Sequence, residues 1–230
     1  MRATRLPGDP AIDVTLRRSA RARRYSLRIS QLDGRVTLTL PRSAPLAEGL
    51  SFLREKEGWI RRHLSGRPPD IAIGWGMDVP FRGDALPIVA GSGRGARLTA
   101  QGLAVPGPAE QVPAQVRAFL RMQAREALAG AADVHAGTLG RPYGRLTLRD
   151  TRSRWGSCSS RGDLMFSWRL IMAPPQVLDY VAAHEVAHLA EMNHSPAFWS
   201  VVARLMPEYQ APRAWLRENG ADLHRLRFGD

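Results

Sequence analysis

Cysteine is almost missing from this chain. Cys158 is the only one among 230 residues, so no intrachain disulfide can form and a reducing compartment is the simplest home. Lysine is equally scarce: of 33 basic side chains only Lys56 is a lysine, which makes the formal net charge of +12 almost wholly arginine. A run of about eighteen consecutive apolar residues, the least a membrane-spanning helix needs, occurs nowhere. The opening MRATRLPGDP also lacks the apolar centre of a secretory signal. These absences predict a soluble, cytoplasmic protein with no membrane partner. A chain of this length buries a core without staples, and no internal repeat breaks it into an array.

What is present begins with alternation. IDVTLRR (12–18), RYSLRIS (24–30) and RVTLTL (35–40) each read as strands, and Asp33-Gly34 marks a hairpin turn between the last two, so an antiparallel meander is expected. Residues 46–64 read as one helix, with Leu46, Leu50, Leu53, Ile60 and Leu64 on or near one stripe. Short apolar pieces between Gly- and Pro-rich breaks fill 71–110. Helical periodicity returns over 112–136, followed by strands at 145–150 and 163–170 and then helices. The expected fold class is α+β: a β-rich N-terminal part with one helix over 1–110, then a small catalytic part over 111–230.

The chemistry concentrates in HEVAHLAEMNH (184–194), which holds three of the six histidines. The preceding QVLDYVAAHEVAHLAEM is apolar or small nearly all round, which implies a buried helix, and Asn193 suits its C-terminal cap. His184 and His188 at i, i+4 face one point and can share a zinc ion. Glu185, about 100° around the helix, is offset from the ion and suited to take a proton from a zinc-bound water. For the third ligand, Glu191 lies roughly 4.5 Å along the axis beyond His188, too far forward. His194 is better placed, in a corner before Ser195 and Pro196, which resemble an N-cap and first helical position. Glu208 and Glu218 on later helices are its rivals. Three protein ligands leave a position open, which favours catalysis over a closed structural site.

With those residues in view, the chain resembles the YgjP-like metallopeptidase family, relatives of the SprT-like and WLM-type zinc peptidases within the zincin group. The likeness is carried by SRWGSCSSRGDLMFSWRLIMAPPQVLDYVAAHEVAHLAEMNHSPAFW (153–199), continues through RLMPEYQAPRAWLRENG, and extends over about 14–226 as one continuous family domain. It implies a zincin-like catalytic part, one zinc ion on His184, His188 and His194, Glu185 as general base, and a polypeptide substrate. It also implies that the strand 163–170 borders the cleft, where an extended substrate pairs with its edge. Arg154 then either contacts substrate or stacks on Trp155, with stacking preferred. Tyr143, Tyr180 and Tyr209 are candidate oxyanion donors, Tyr209 first. Trp155, Trp168 and Trp199 read as core, and His63, His135 and His224 as surface or loop residues. A Cys158 thiolate capping the zinc is a sharper alternative to a small buried side chain.

A second class of function rests on charge. Arg17, Arg18, Arg21, Arg23, Arg24 and Arg28 crowd into twelve residues without an acid, with Arg24 and Arg28 expected on one strand face. They make a candidate phosphate-contacting surface. The alternative to a zinc metallopeptidase is therefore a nucleic-acid-binding protein with a structural or vestigial metal site, or a peptidase tethered to nucleic acid.

Overall fold

The computed structural model describes residues 2–30, 34–65 and 68–229. The chain is mixed α+β and forms two compact units, Met1–Pro69 and Asp70–Asp230. The expected boundary at 110/111 falls inside the second unit, because the strands before it pack on the helix that follows: Ile88, Leu103 and Val105 share a core with Val112 and Val116.

In the first unit, β1 (Arg2–Leu6), β2 (Ile12–Ser19), β3 (Ser26–Ile29) and β4 (Val36–Pro41) form one sheet in the order β1-β2-β4-β3. This is not the expected meander, since β4 lies between β2 and β3 and runs parallel to β2. The burial pattern gives the reason. Val36, Leu38 and Leu40 of β4 are almost wholly buried, whereas β3 alternates exposed and half-buried residues. The more apolar strand takes the centre and the arginine-bearing one takes the edge. The turn expected at Asp33-Gly34 has its first residue outside the described residues. The single helix expected over 46–64 is two, α1 (Leu46–Glu55) and α2 (Glu57–Ser65), interrupted at Lys56. Leu53 and Ile60 from these helices close the core over β2 and β4.

The six clustered arginines are all exposed but do not share one face. Arg17 and Arg28 stand beside Thr39 and Thr37 in register with β4, on the same side of the sheet. Arg18 turns the other way and donates to the carbonyls of Arg42 and Ala44 at 2.8 and 2.9 Å. Arg21, Arg23 and Arg24 lie in the β2–β3 connection.

The second unit is built on α3 (Val112–Leu139), which follows a 3₁₀ turn and ends at Gly140 in the left-handed conformation with φ 72°. Val116, Leu120, Ala124, Leu128 and Ala132 are fully buried at helical spacing against α4 (Pro175–Ala187) and the 3₁₀ segment Trp168–Met172. A second sheet comprises β6 (Asp78–Phe81), β7 (Asp84–Ala90), β9 (Gly102–Val105) and β8 (Arg97–Thr99) in that spatial order. A third has the order β10-β12-β11, from Leu146–Arg149, Leu164–Ser167 and Gly156–Cys158. The helices α5 (Pro196–Leu205) and α6 (Gln210–Asn219) follow α4, and β13 (Leu226–Arg227) pairs with β5 (Ile71–Ala72). No helix among the described residues is long and apolar enough to cross a membrane.

A buried arginine ties these pieces together. Arg169, 2% exposed, forks onto Asp150 through Nε and Nη2 at 2.7 and 3.0 Å. Its Nη1 donates to the carbonyls of Leu223 and Leu226 at 2.8 and 3.1 Å, and its guanidinium covers the rings of Trp168 and Phe228. Every face of the charge is thus matched. Burial works to raise the Asp150 pKa, but the hydrogen bonds and charge of Arg169 outweigh it and hold the carboxyl below its ordinary value. A depressed native pKa contributes stability that is present above the unfolded value and lost as pH falls through the native one. Asp150→Asn is therefore expected to be less stable than the wild type at pH 7. Urea unfolding should show the gap closing as pH falls below 3.8, the usual aspartate value; a gap independent of pH would refute the assignment.

Candidate metal and active site

Helix α4 starts with Pro174 as N-cap and Pro175 in its first turn, where a missing N–H costs nothing. Val177, Val181, Ala182, Ala183, Val186 and Ala187 bury its several faces. His184 and His188 follow one another by a turn, with ring centroids 5.1 Å apart. The helix does not continue to Met192 as the apolar run predicts. It ends at Ala187 with His188 as C-cap, and the bonds Leu189 N–H to Val186 O and Ala190 N–H to Ala187 O, at 2.9 and 3.0 Å, tighten the last turn. Asn193 is consequently no helix cap; its Oδ1 accepts from Ser195 N–H at 3.0 Å. Ser195 is the N-cap of α5 as expected, with Oγ accepting from Phe198 N–H.

This reversal returns His194 to the helix it has just left. Its Nε2 lies 3.1 Å from His184 Nε2, and one ring nitrogen from each of His184, His188 and His194 falls within 4.8 Å of the others. His188 Nδ1 lies 2.9 Å from the Glu191 carbonyl. A carbonyl only accepts, so Nδ1 carries the proton and the lone pair sits on Nε2, as a metal ligand requires. Glu191 thus serves through its backbone, not its carboxylate. Burial, reinforced by the neighbouring charges of His188, His194 and Arg213, pushes His184 down to about 3. Burial also lowers His188, against the pull of the Glu191 carbonyl. His184 and His188 are therefore neutral donors at pH 7. Two facing Nε2 atoms that both carry lone pairs repel unless a proton or cation lies between them, so the donor set fits a metal ion. Glu208 and Glu218 do not join this group; both are exposed, and Glu218 pairs with Arg217 at 3.1 Å.

One residue that carried no signal of its own underlies the triad. Phe198, fully buried in the first turn of α5, has ring centroids 4.9, 4.5 and 4.8 Å from His184, His188 and His194. An isolated Phe in an apolar run reads only as core, and its contact with all three rings comes from the α4–α5 corner.

Glu185 is 5% exposed and faces β11. A Cβ on Gly156 would lie 2.5 Å from Glu185 Cγ and Oε1, so the strand approaches the carboxylate only because this position has no side chain. Burial pushes the Glu185 carboxyl up to about 8, with the Arg154 charge and the Cys158 backbone N–H pulling it down. The strand beside the site is therefore β11 and not 163–170. Within β10-β12-β11 the strand β12 is central and paired on both sides, while β11 is a free edge. Apolarity gives the reason: β12 buries Leu164 and Phe166, whereas the Gly-Ser-Cys of β11 stays half exposed.

Glu185, the three histidines and β11 line one cleft of about 400 Å³, together with Arg154, Trp155, Tyr180 and Leu216. Tyr180 is the tyrosine in that lining; burial pushes its hydroxyl up to about 12, so it stays protonated. Tyr209 stacks between Tyr180 and Trp199, and Tyr143 donates to Asp133 at 2.6 Å. Cys158 borders the cleft as a thiol, raised to about 11 by burial and then by Glu185 and Asp163, which is unsuited to a thiolate cap. His63 is exposed, but His135 and His224 are buried. The first pairs with Asp179 at 2.8 Å and the second packs on Trp155. Trp168 is fully buried and Trp155 and Trp199 pack partly buried against the core.

Comparison with known proteins gives one family. The family model described as YgjP-like, metallopeptidase domain, matches residues 23–219. No curated protein matches. Among solved structures, the metallopeptidase zymogen of Pyrococcus abyssi abylysin is similar at 20% identity and a TM-score of 0.36, over 40% of this chain and 92% of that one.

Phe198→Ala removes the common support of three rings and opens a core cavity. An expected loss of about 3–5 kcal/mol is checked by denaturant unfolding, with Phe198→Leu losing distinctly less. Equal stability in both variants and the wild type would show that the ring carries none of this load.

Proposed function

The chain belongs to the YgjP-like metallopeptidase family, and from that premise we propose that it is a zinc-dependent peptidase with His184, His188 and His194 as ligands and Glu185 as general base. The observation that carries this reading is the convergence of three imidazole nitrogens in the same cleft as the buried Glu185 carboxylate. Three imidazole nitrogen donors would suit zinc in a four-coordinate site with one open position. When bound, the ion supplies Lewis acidity, which lowers the pKa of a coordinated water to about 7 and polarises a carbonyl.

The protein's own groups supply positioning and proton transfer. A polypeptide laid along the free edge of β11 gains backbone hydrogen bonds by strand addition, and Gly156 lets that edge stand close to Glu185. The ionised form of Glu185, which the charge of a bound cation favours against the burial that pushes the carboxyl up to about 8, takes the proton of the attacking water and delivers it to the leaving amine. Tyr180 adds a protonated hydroxyl group to the cleft wall. The single thiol fits a cytoplasmic setting. The arginine-based alternative has no specific observation behind it, since Arg17, Arg18 and Arg28 are divided between two sides of their sheet.

Glu185→Gln should keep one zinc per chain, by elemental analysis, while hydrolysis of an unfolded protein substrate falls by about 100- to 10,000-fold. Full activity in that variant would refute the base. His194→Ala should weaken zinc binding at least ~100-fold in competition with a chromogenic chelator, a loss larger than that for an outer hydrogen-bond partner. Unchanged affinity would remove His194 from the ligand set.

A further inference from the structure

Arg154 is the guanidinium in the cleft lining, and its role is undetermined by the chemistry above. The stacking on Trp155 expected from the sequence is not formed: the arginines lying over aromatic rings are Arg82, Arg169 and Arg213, and Trp155 packs on His224. Among the described residues the Arg154 guanidinium makes no hydrogen bond or ion pair, in contrast to Arg169 and Arg227, which fork onto Asp150 and Asp70.

Its backbone is nonetheless fixed. The Arg154 carbonyl accepts from Thr151 Oγ1 at 2.7 Å, and the next carbonyl, of Trp155, accepts from Ser167 N–H at 2.8 Å. Arg154 therefore hangs from an anchored stretch two residues before Gly156, at the start of the free edge strand. Its charge reaches Glu185 as a through-space effect, not as an ion pair. Around it the cleft wall is apolar, made by Trp155, Val181 and Leu216. Glu185, in the same cleft lining, is occupied with proton transfer in the proposed chemistry.

We propose that Arg154 is a specificity-determining residue that binds a carboxylate of the peptide substrate, either an acidic side chain or the C-terminal carboxylate, close to the scissile bond. This rests on the peptidase reading above. A substrate strand on β11 advances about 3.3 Å per residue, so a guanidinium anchored two positions from Gly156 meets substrate groups within about two residues of the bond cleaved beside Glu185. The planar fork matches a carboxylate in two hydrogen bonds.

The test uses the full-length, zinc-loaded protein and quenched fluorescent peptides of one parent sequence. Glu, Gln or Lys is walked through three positions on each side of the cleaved bond, and each peptide is made as free acid and as C-terminal amide. Wild type is expected to favour Glu over Gln at one position, or free acid over amide, by about tenfold in kcat/KM, the scale of one charge-assisted hydrogen-bonded contact. The first outcome identifies a side-chain carboxylate and the second the chain terminus. Arg154→Ala should bring that ratio to about one, Arg154→Glu should invert it in favour of Lys, and Arg213→Ala should retain it. The proposal is overturned by a wild type indifferent to the carboxylate, by an Arg154→Ala variant with the ratio intact, or by an equal change in Arg213→Ala. Anisotropy of the same peptides, dye-labelled, on Glu185→Gln protein reads the preference without turnover. Zinc-loaded wild type that cleaves nothing would sink the peptidase reading alone if the Arg154-dependent preference persists in binding, and both ideas if it does not.

Discussion

Helix α4 stops within one residue of His188, and the tight turn that follows, held by the His188 bond to the Glu191 carbonyl, brings the chain back so that His194 faces His184. A longer helix would carry residues 189–192 away along the axis at about 1.5 Å each and separate the third imidazole from the other two. The same bond settles which nitrogen of His188 is free. One backbone carbonyl therefore governs both the path of the chain and the tautomer of His188. Phe198 completes the arrangement from the other side of the corner, since the N-cap of α5 directs that ring under all three imidazoles.

Burial does the remaining work in opposite senses on neighbouring groups. It lowers His184 and His188 and raises Glu185, so those two imidazoles stay neutral while the carboxyl holds its proton up to neutral pH. The close approach of β11 makes this possible, and that approach depends on the missing side chain at Gly156. The strand in turn is continuous with the Thr151–Trp155 segment that presents Arg154. Asp150, one step earlier, is gripped by Arg169. The cleft edge, its cation and the aspartate of the buried ion pair are successive parts of one short stretch of chain, so mechanical support and the cleft lining are neighbours in sequence as well as in space.

Much of the site was legible without coordinates because its signal is local. His184 and Glu185 sit on one helix with His188 as its C-cap, and helical geometry converts their spacing into direction. Ser195 and Pro196 likewise announced the start of α5. Elements whose position depends on competition between segments were not legible. The choice of β4 over β3 for the centre of the first sheet, and of β12 over β11 in the third, follows relative burial of whole strands. The alternation within each strand is the same in either arrangement. The early end of α4 was hidden for a similar reason: an apolar run does not reveal where its hydrogen bonds switch from helical to 3₁₀ spacing.

What the residues alone determined is the relative direction of His184, Glu185 and His188, since two histidines a turn apart with an intervening glutamate keep that relation wherever the helix is placed. What only the tertiary structure decided is which distant groups come to meet them: His194 through the turn, Phe198 through the corner, Gly156 through the edge strand, and Arg154, without a partner among the described residues, in the cleft. Spacing along a helix is set by covalent geometry and short-range hydrogen bonds, whereas these meetings arise from the packing of whole elements, which no local window of sequence contains.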